Sequence, residues 1–204
     1  KFHSPRASFP SFLFSILNVL SPIIPIPEKD IEDALDKMQE VKKLISIKNN
    51  SNNNVAMSLA KWISNVPLIY YPRGLECVAI RFKSSLQENS KTHVIIEDIV
   101  ESCHNGVVAW EKESSVKPIM IRGNDDHFRT IEKYEILSEY FDEKNIEYKE
   151  IFSGNGNILT KIISLIYILD YVTIYKSILE EIDPTPVKTI EYIKKKISNQ
   201  DKID

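Results

Sequence analysis

Three side chains in this sequence have the types that proton-transfer chemistry uses, and a structural role explains each of them poorly. Glu88 stands at the end of a helix predicted over Leu75–Gln87, where a carboxylate meets the negative end of the helix dipole. His104 lies in Cys103-His-Asn-Gly106 between apolar segments, and an imidazole exchanges a proton near neutral pH. Arg6 precedes an apolar helix and carries a charge that does not deprotonate. Spacing alone leaves a chemical and a structural role open for all three.

Other polar motifs have simpler interpretations. Asp125-Asp126-His127 is compatible with a metal site, but an acidic helix N-terminus explains it more simply. Gly154-Asn-Gly156 follows a strand and opens a helix, and a tight turn explains it as well as phosphate binding does. Lys194-Lys-Lys196 is typical of a solvated helix end. The sequence contains no Walker A, GxGxxG, HExxH or GxSxG motif, so we expect no cofactor and no metal.

Composition limits the partners of the chain. Its 204 residues carry 29 acidic and 26 basic side chains, a net charge of −3, which argues against a general nucleic-acid binder. Two cysteines are too few for a disulfide framework and favour a reducing, cytoplasmic compartment. The apolar run Phe9–Leu20 is broken by Pro10 and Ser15 and is too short to span a membrane. We therefore expect neither nucleic acid nor a membrane as a partner.

The elements that must position these residues alternate between short apolar strands and helices. This alternation predicts an α/β fold, with a parallel sheet flanked by helices on both faces. Ligands of such sheets bind at the carboxyl ends of the strands, which directs attention to the loops 71–74, 123–127 and 153–157. We predict strands over Val66–Tyr71, Pro118–Ile121 and Tyr148–Phe152, with Val107–Trp110 as a possible further one. We predict helices over Ser8–Leu20, Glu28–Ile47, Val55–Ile63, Leu75–Gln87, His127–Asn145, Ile158–Glu181 and Val187–Ile197.

A polar break over Asn49–Asn54 divides the chain. Residues 1–54 are interpreted as linking helices, and residues 55–204 as the main domain with its C-terminal helices. The Ser8–Leu20 helix is apolar on all sides, and helices of this kind belong inside a core. We therefore expect it to be covered by a second copy or by another domain, through Phe9, Phe12, Leu13, Ile16 and Leu17.

A series of motifs, in order along nearly the whole chain, resembles the archaeal and bacterial bifunctional phosphoglucose/phosphomannose isomerases. The most specific of them are Gln87-Glu-Asn-Ser-Lys91 and His104-Asn105. The series also includes Pro5-Arg-Ala-Ser-Phe9, Pro67-Leu-Ile-Tyr70, Arg81-Phe-Lys83, Val107-Val-Ala-Trp110, Asp126-His127-x-Arg129, Leu169-Asp-Tyr-Val172 and Asp183-Pro-Thr-Pro-Val187.

The resemblance implies a sugar isomerase (SIS) fold of three αβα layers. Members of that family carry two SIS domains and work as homodimers, so this chain is similar to the second domain plus the helices that link it to a first. The implied activity interconverts glucose 6-phosphate, with mannose 6-phosphate left open as a further substrate, and fructose 6-phosphate through an enediol. The alternative is a non-catalytic SIS module for sugar-phosphate binding or dimerisation. Without a first domain, the isolated chain is expected to be inactive.

The resemblance also implies a role for each candidate residue. Glu88 matches the base that moves a proton between C2 and C1. Arg6 matches the arginine that stabilises the enediolate. His104 matches the ring-opening histidine, which in the family comes from the neighbouring subunit. Lys194 matches a C-terminal lysine near the ring oxygen, in a run of three lysines.

The sequence departs from the family pattern next to His104. Gly106 stands where the family usually has an acid, and Cys103 stands where an Asn is more usual. We therefore expect a looser loop at this point. The segment Asn49–Asn54 is interpreted as a local insertion.

Overall fold

Four short parallel strands form a sheet at the centre of the protein. In the computed structural model, which describes residues 5–49 and 54–200, they are β1 (Pro67–Tyr71), β2 (Ile95–Asp98), β3 (Lys117–Arg122) and β4 (Lys149–Phe152). Their order across the sheet is β2-β1-β3-β4, and each neighbouring pair is parallel. The predicted parallel α/β fold is confirmed.

Eight helices surround the sheet in the described part of the chain. They are α1 (Phe9–Leu20), α2 (Glu28–Ile45), α3 (Val55–Trp62), α4 (Glu76–Asn89), α5 (Ile99–Ser102), α6 (Phe128–Glu143), α7 (Ile158–Leu179) and α8 (Lys188–Gln200). Short 3-10 helices occupy Pro5–Ser8 and Gly106–Glu111. The helices predicted from periodicity are all present, with their ends moved by a few residues.

Strand residues alternate between two cores because successive side chains point to opposite faces of a sheet. Ile69 and Ile119 face one core, which α2, α3, α4 and α7 cover. Tyr70 and Met120 face the other, which α5 and α6 cover together with Trp110. Side chains from both faces are fully buried, so the structure has the predicted three layers.

The edge of the sheet differs from the sequence prediction. Val107–Trp110 is not a strand, because it lies in the 3-10 helix Gly106–Glu111. The apolar side chains of this segment contribute to the core instead. Trp110 is buried, and its indole N–H donates to the Tyr70 hydroxyl over 2.8 Å. The fourth strand is β2, which the sequence analysis did not predict.

Helix α7 is the most apolar helix of the core. By length and composition it could cross a membrane, and it is the single helix in the described ranges that meets this test. Half of its most apolar window is buried inside the protein, where it packs against α2, α3 and α4. Its first turn is capped by Asn157, whose side chain accepts from the backbone N–H of Thr160.

Helix α1 forms as predicted but lies largely on the surface. None of its residues is buried, and Phe12 and Ile16 are 62% and 54% exposed. Phe9, at its first position, packs against the core. Of the side chains expected to be covered by a partner, Phe9 is therefore already in contact with this domain.

Candidate active site

Glu88 lies in the last turn of α4, and the connections between the strands determine at which edge of the sheet this turn lies. Helix α4 connects the parallel neighbours β1 and β2, so it must run opposite to both strands. Its last turn therefore lies at the amino-terminal edge of the sheet. The loops 71–74, 123–127 and 153–157 lie at the other edge. The candidate site is thus not at the carboxyl ends of the strands, where ligands of α/β sheets usually bind.

Arg6 and Glu88 form the centre of the site. The Arg6 Nε atom lies 3.0 Å from Glu88 Oε2, and the two side chains are 20% and 37% exposed. The 3-10 turn Pro5–Ser8 brings Arg6 to the end of α4. Two of the residues predicted from sequence are therefore in direct contact, as a carboxylate beside a permanent positive charge.

Three more acceptors hold the Arg6 guanidinium. Its Nη1 atom donates to the Asn89 side-chain oxygen and to the Pro184 carbonyl at 2.9 Å, and Nη2 donates to the Thr185 carbonyl at 3.3 Å. Asn89 is itself oriented, because its amide donates to the Thr173 hydroxyl over 2.8 Å. A planar guanidinium with contacts on this many sides has little freedom to turn.

Lys91 ties the end of α4 to the same segment. Its backbone has φ of 56°, an uncommon left-handed conformation for a non-glycine residue. Its ammonium donates to the Glu88 carbonyl and to the Pro186 carbonyl at 2.8 Å. From the sequence, Lys91 stands out only as part of the motif Gln87-Glu-Asn-Ser-Lys91, without an indicated role.

The turn at Asp183 presents the carbonyls that Arg6 and Lys91 use. The Asp183 carboxylate accepts from the Thr185 backbone N–H at 2.8 Å, which is an Asx turn. This hydrogen bond, together with one from the Thr185 side chain, lowers the pKa of Asp183 below its usual value. Prolines at 184 and 186 add rigidity to the segment.

A cleft of about 800 Å³ opens beside these groups. Cavities that hold small ligands commonly have volumes of about 300–1,000 Å³, so the space is sufficient for a sugar phosphate. One wall is the end of α4, and the other is the segment that leads into α8. Its lining includes Ser84, Gln87, Glu88, Lys91, Thr92, His93, Asp183, Pro186, Val187, Lys188, Thr189 and Ile190.

His104 is not brought to this cleft within one chain. It is exposed and follows α5, which begins directly after the carboxyl end of β2. Glu88 precedes the amino end of the same strand. Among the described residues, no hydrogen bond or ion pair joins His104 to Arg6 or Glu88.

Lys194 lies on α8, one turn beyond the cleft residue Ile190. Its side chain is exposed and does not line the cleft. The described residues of α8 from Lys188 to Asn199 are all exposed. Ile190 forms part of the cleft wall. Lys194 lies on the same face of α8, because positions four apart share a helix face.

The loop after His104 is closely packed at Gly106. A side chain at this position would collide with the Glu97 carboxylate and would lie 3.0 Å from the Ser102 hydroxyl. The expectation of a looser loop here is therefore wrong. Glycine fits here because it has no side chain, and the Glu97 carboxylate from β2 occupies the space that a side chain would need.

The Asp125-Asp126-His127 segment has a structural role. His127 caps α6, its Nδ1 accepting from the Arg129 backbone N–H at 3.3 Å. Asp126 accepts from the Gly123 backbone N–H at 2.8 Å, and burial raises the pKa of Asp126. In the part of the chain that the structure describes, no three His, Cys, Asp or Glu side chains are grouped to hold a metal ion.

Known proteins share both the fold and the sequence pattern of this chain. The structure is similar to that of a glucose-6-phosphate isomerase like protein from Thermus thermophilus, with a TM-score of 0.62 and 15% sequence identity over 77% of this chain and 52% of that chain. A family model described as the bacterial phospho-glucose isomerase C-terminal SIS domain matches residues 52–197. The chain belongs to this family of sugar isomerase domains.

Two curated relatives extend the match to nearly the whole chain. A bifunctional phosphoglucose/phosphomannose isomerase from Caldicellulosiruptor bescii is 28% identical over 91% of this chain. A protein of the same name from Aquifex aeolicus is 27% identical over 95% of this chain. The chain spans 56% and 58% of the lengths of these two relatives.

Proposed function

We propose that the protein is an aldose–ketose isomerase that interconverts glucose 6-phosphate and fructose 6-phosphate, with mannose 6-phosphate as a second substrate. The ion pair between Arg6 and Glu88 at 3.0 Å, beside a cleft large enough for a sugar phosphate, is the observation that carries the proposal. Both residues are those that the family resemblance selects. The curated relatives carry the same activity in their names.

Glu88 is proposed as the base. The reaction removes a weakly acidic proton next to a carbonyl and returns it to the neighbouring carbon, and one positioned carboxylate can do both. The side chain is partly exposed to the cleft, so substrate can reach it. In this scheme the proton moves between C2 and C1, and the intermediate is an enediol.

Arg6 is proposed to stabilise the enediolate. A negative charge develops on the substrate oxygen as the proton leaves, and a fixed positive charge beside the base stabilises it. The guanidinium is anchored by Asn89 and by the Pro184 and Thr185 carbonyls. It therefore needs little reorganisation when that charge forms.

His104 is proposed to open the sugar ring in a neighbouring subunit. Within one chain it lies beyond the carboxyl end of β2, whereas Glu88 lies before the amino end. A second copy that places its own His104 over the cleft supplies the missing imidazole. We accordingly propose a homodimer, with Lys194 near the ring oxygen.

The remaining features of the proposal follow the family. Residues 1–54 are proposed to link this domain, residues 55–204, to a preceding SIS domain that contributes the phosphate site. We propose a cytoplasmic enzyme without a cofactor or metal. Activity of the 204-residue chain by itself is then expected to be very low, because phosphate binding remote from the reacting carbons supplies much of the transition-state stabilisation.

Hydrogen exchange during turnover tests this function directly. The complete protein is incubated with glucose 6-phosphate in D₂O, and three quantities are measured: fructose 6-phosphate, deuterium at C1 of this product, and deuterium at C2 of the recovered glucose 6-phosphate. An enediol mechanism predicts product together with solvent deuterium at these carbons. Binding of sugar phosphate with neither product nor exchange would instead favour the non-catalytic SIS module.

A further inference from the structure

Arg81 contacts the N-terminal segment at Arg6 and at Phe9. Its Nη2 atom donates to the Arg6 backbone carbonyl at 3.2 Å, and its guanidinium carbon lies 4.1 Å from the centre of the Phe9 ring. Arg81 lies on α4, two turns before Glu88. One side chain thus holds the main chain of Arg6 against the same helix that carries the proposed base.

Asp170 on α7 fixes Arg81 in turn. One carboxylate oxygen accepts from Arg81 Nη2 at 2.6 Å and from Nε at 3.2 Å, and the other accepts from the Ser85 hydroxyl at 3.1 Å. Burial raises the pKa of Asp170, and the hydrogen bonds from Arg81 oppose this effect. The carboxylate is held by donors on both oxygens, so Arg81 has a single well-defined orientation.

We propose that Arg81 and Asp170 form a clamp that positions Arg6 against Glu88. The clamp acts on the backbone of Arg6, whereas Asn89, Pro184 and Thr185 act on its side chain. Both residues are positioning residues, since their contacts are with Arg6, Phe9, Ser85 and each other. The effect of the clamp on catalysis rests on the proposed isomerase function, whereas its effect on the position of Arg6 does not.

A second arginine provides a matched control. Arg122 pairs with Glu150 at 2.6 Å, with side chains 12% and 28% exposed, against 17% and 30% for Arg81 and Asp170. It also packs against an aromatic ring, 5.0 Å from the centre of Phe152. Arg122 ends β3 and so lies at the opposite edge of the sheet from the cleft. Its replacement removes a similar pair without touching Arg6.

The kinetic test compares R81K and R122K in the complete protein. Lysine keeps the charge, but its single nitrogen cannot reproduce the planar fork by which Arg81 pairs with Asp170 through Nε and Nη2 and donates to the Arg6 carbonyl. We expect R81K to lower kcat about 10-fold with little change in KM, because displacement of a charge from the reacting atoms costs catalysis. R122K should change kcat less than about 2-fold. Its loss of thermal stability should be similar to that of R81K.

Combination with R6K distinguishes positioning from a general structural effect. If Arg81 acts through Arg6, R81K should lower kcat further by less than about 2-fold in the R6K background. An equal loss from R81K in both backgrounds would overturn the proposal.

A spectroscopic measurement on the 204-residue chain needs no activity. The Arg6 Nε–H signal in a ¹⁵N NMR spectrum is assigned by its absence in R6K. We expect this proton to exchange slowly with water in the wild type and in R122K, and at least about 10-fold faster in R81K and D170N, because a loosened ion pair admits water. Unchanged exchange in R81K would overturn the clamp. Faster exchange in R81K, together with a complete protein that has no isomerase activity, would support the clamp and refute the isomerase function.

Discussion

Glu88 and His104 lie towards opposite edges of the sheet within one chain, although they are only 104 − 88 = 16 positions apart in the sequence. The strand between them, β2, separates the two edges. We therefore propose that a reaction that uses both residues takes His104 from a second copy.

Mixing two inactive variants tests this arrangement. In a mixed dimer of E88Q and H104A subunits, one of the two sites receives an intact Glu88 from one chain and an intact His104 from the other. We expect activity to return when the variants are combined, as measured on purified mixed dimers. The control mixture combines E88Q with H127A in place of H104A, since His127 caps α6. Its activity is that of a dimer in which one Glu88 is replaced and both His104 side chains are intact. Verified mixed dimers of E88Q and H104A without any recovery would place the site within one chain.

The substitution E88Q tests the proposed base. Glutamine keeps the shape of the side chain but cannot take a proton, so we expect kcat to fall by at least about 10²-fold. The measurement is steady-state turnover of glucose 6-phosphate in the complete protein. E132Q serves as the control, because Glu132 is exposed on α6, away from the cleft. Near-normal turnover of E88Q would be incompatible with its role.

Lys194 can be separated from its neighbours by single substitutions. It lies one turn beyond the cleft residue Ile190, whereas Lys195 and Lys196 lie two turns beyond Lys188 and Thr189, the cleft residues that share their helix faces. We expect K194A to lower kcat/KM about 10-fold, the effect of one lost charge-assisted contact. K195A and K196A should stay within about 2-fold of the wild type. Equal effects of all three substitutions would indicate a general contribution of charge instead.

Two aspartates should influence stability with opposite dependence on pH. Burial raises the pKa of Asp170, so the folded state binds its proton more tightly than the unfolded state does. Its contribution to the free energy of unfolding is therefore greatest below the ordinary pKa of an aspartate and is lost as pH rises through the folded pKa. Hydrogen bonds lower the pKa of Asp183, so its contribution is present above the ordinary pKa and is lost as pH falls through the folded pKa.

Urea unfolding over a pH series from about 3.5 to 7 measures both effects. The stability of the wild type relative to D170N should decrease with rising pH. Its stability relative to D183N should increase over the acidic part of the same series. The same direction for both aspartates would contradict the environments described for them.

The exposed face of α1 should mediate association. Phe12 and Ile16 are exposed large apolar side chains on this helix, and apolar patches of this kind mark interfaces. We expect the 204-residue chain to self-associate, and the double substitution F12S/I16S to shift the mass measured by analytical ultracentrifugation towards the monomer. L44S, at an exposed leucine of α2, is the control. A monomeric wild type with an ordered α1 would contradict the prediction.

Much of the fold was predictable because its apolar segments are long or clearly bounded. Strands β1 and β3 are mostly buried and flanked by turn residues, β4 contributes the buried Ile151, and α7 is mostly apolar. Strand β2 was missed because it is a four-residue edge strand ending in Glu97 and Asp98, with no fully buried position. Short edge strands carry little periodicity.

The site could be predicted only where it depends on the type of a side chain. Glu88 and Arg6 stood out by charge and by resemblance, and the structure brings them together. Their anchors did not stand out, because the Pro184 and Thr185 carbonyls are backbone groups that any residue provides. Sequence separations as large as 178 positions, between Arg6 and Pro184, also cannot be read from local patterns.

The location of the cleft at the amino edge of the sheet has a practical consequence for labelling. The loop that follows β4, around the exposed Asn155, lies at the far edge and contributes nothing to the cleft lining. After Cys77 and Cys103 are replaced by serine, a fluorophore attached through N155C should therefore report on folding and on subunit exchange without obstructing substrate. The chain thus offers an attachment point for single-molecule measurements.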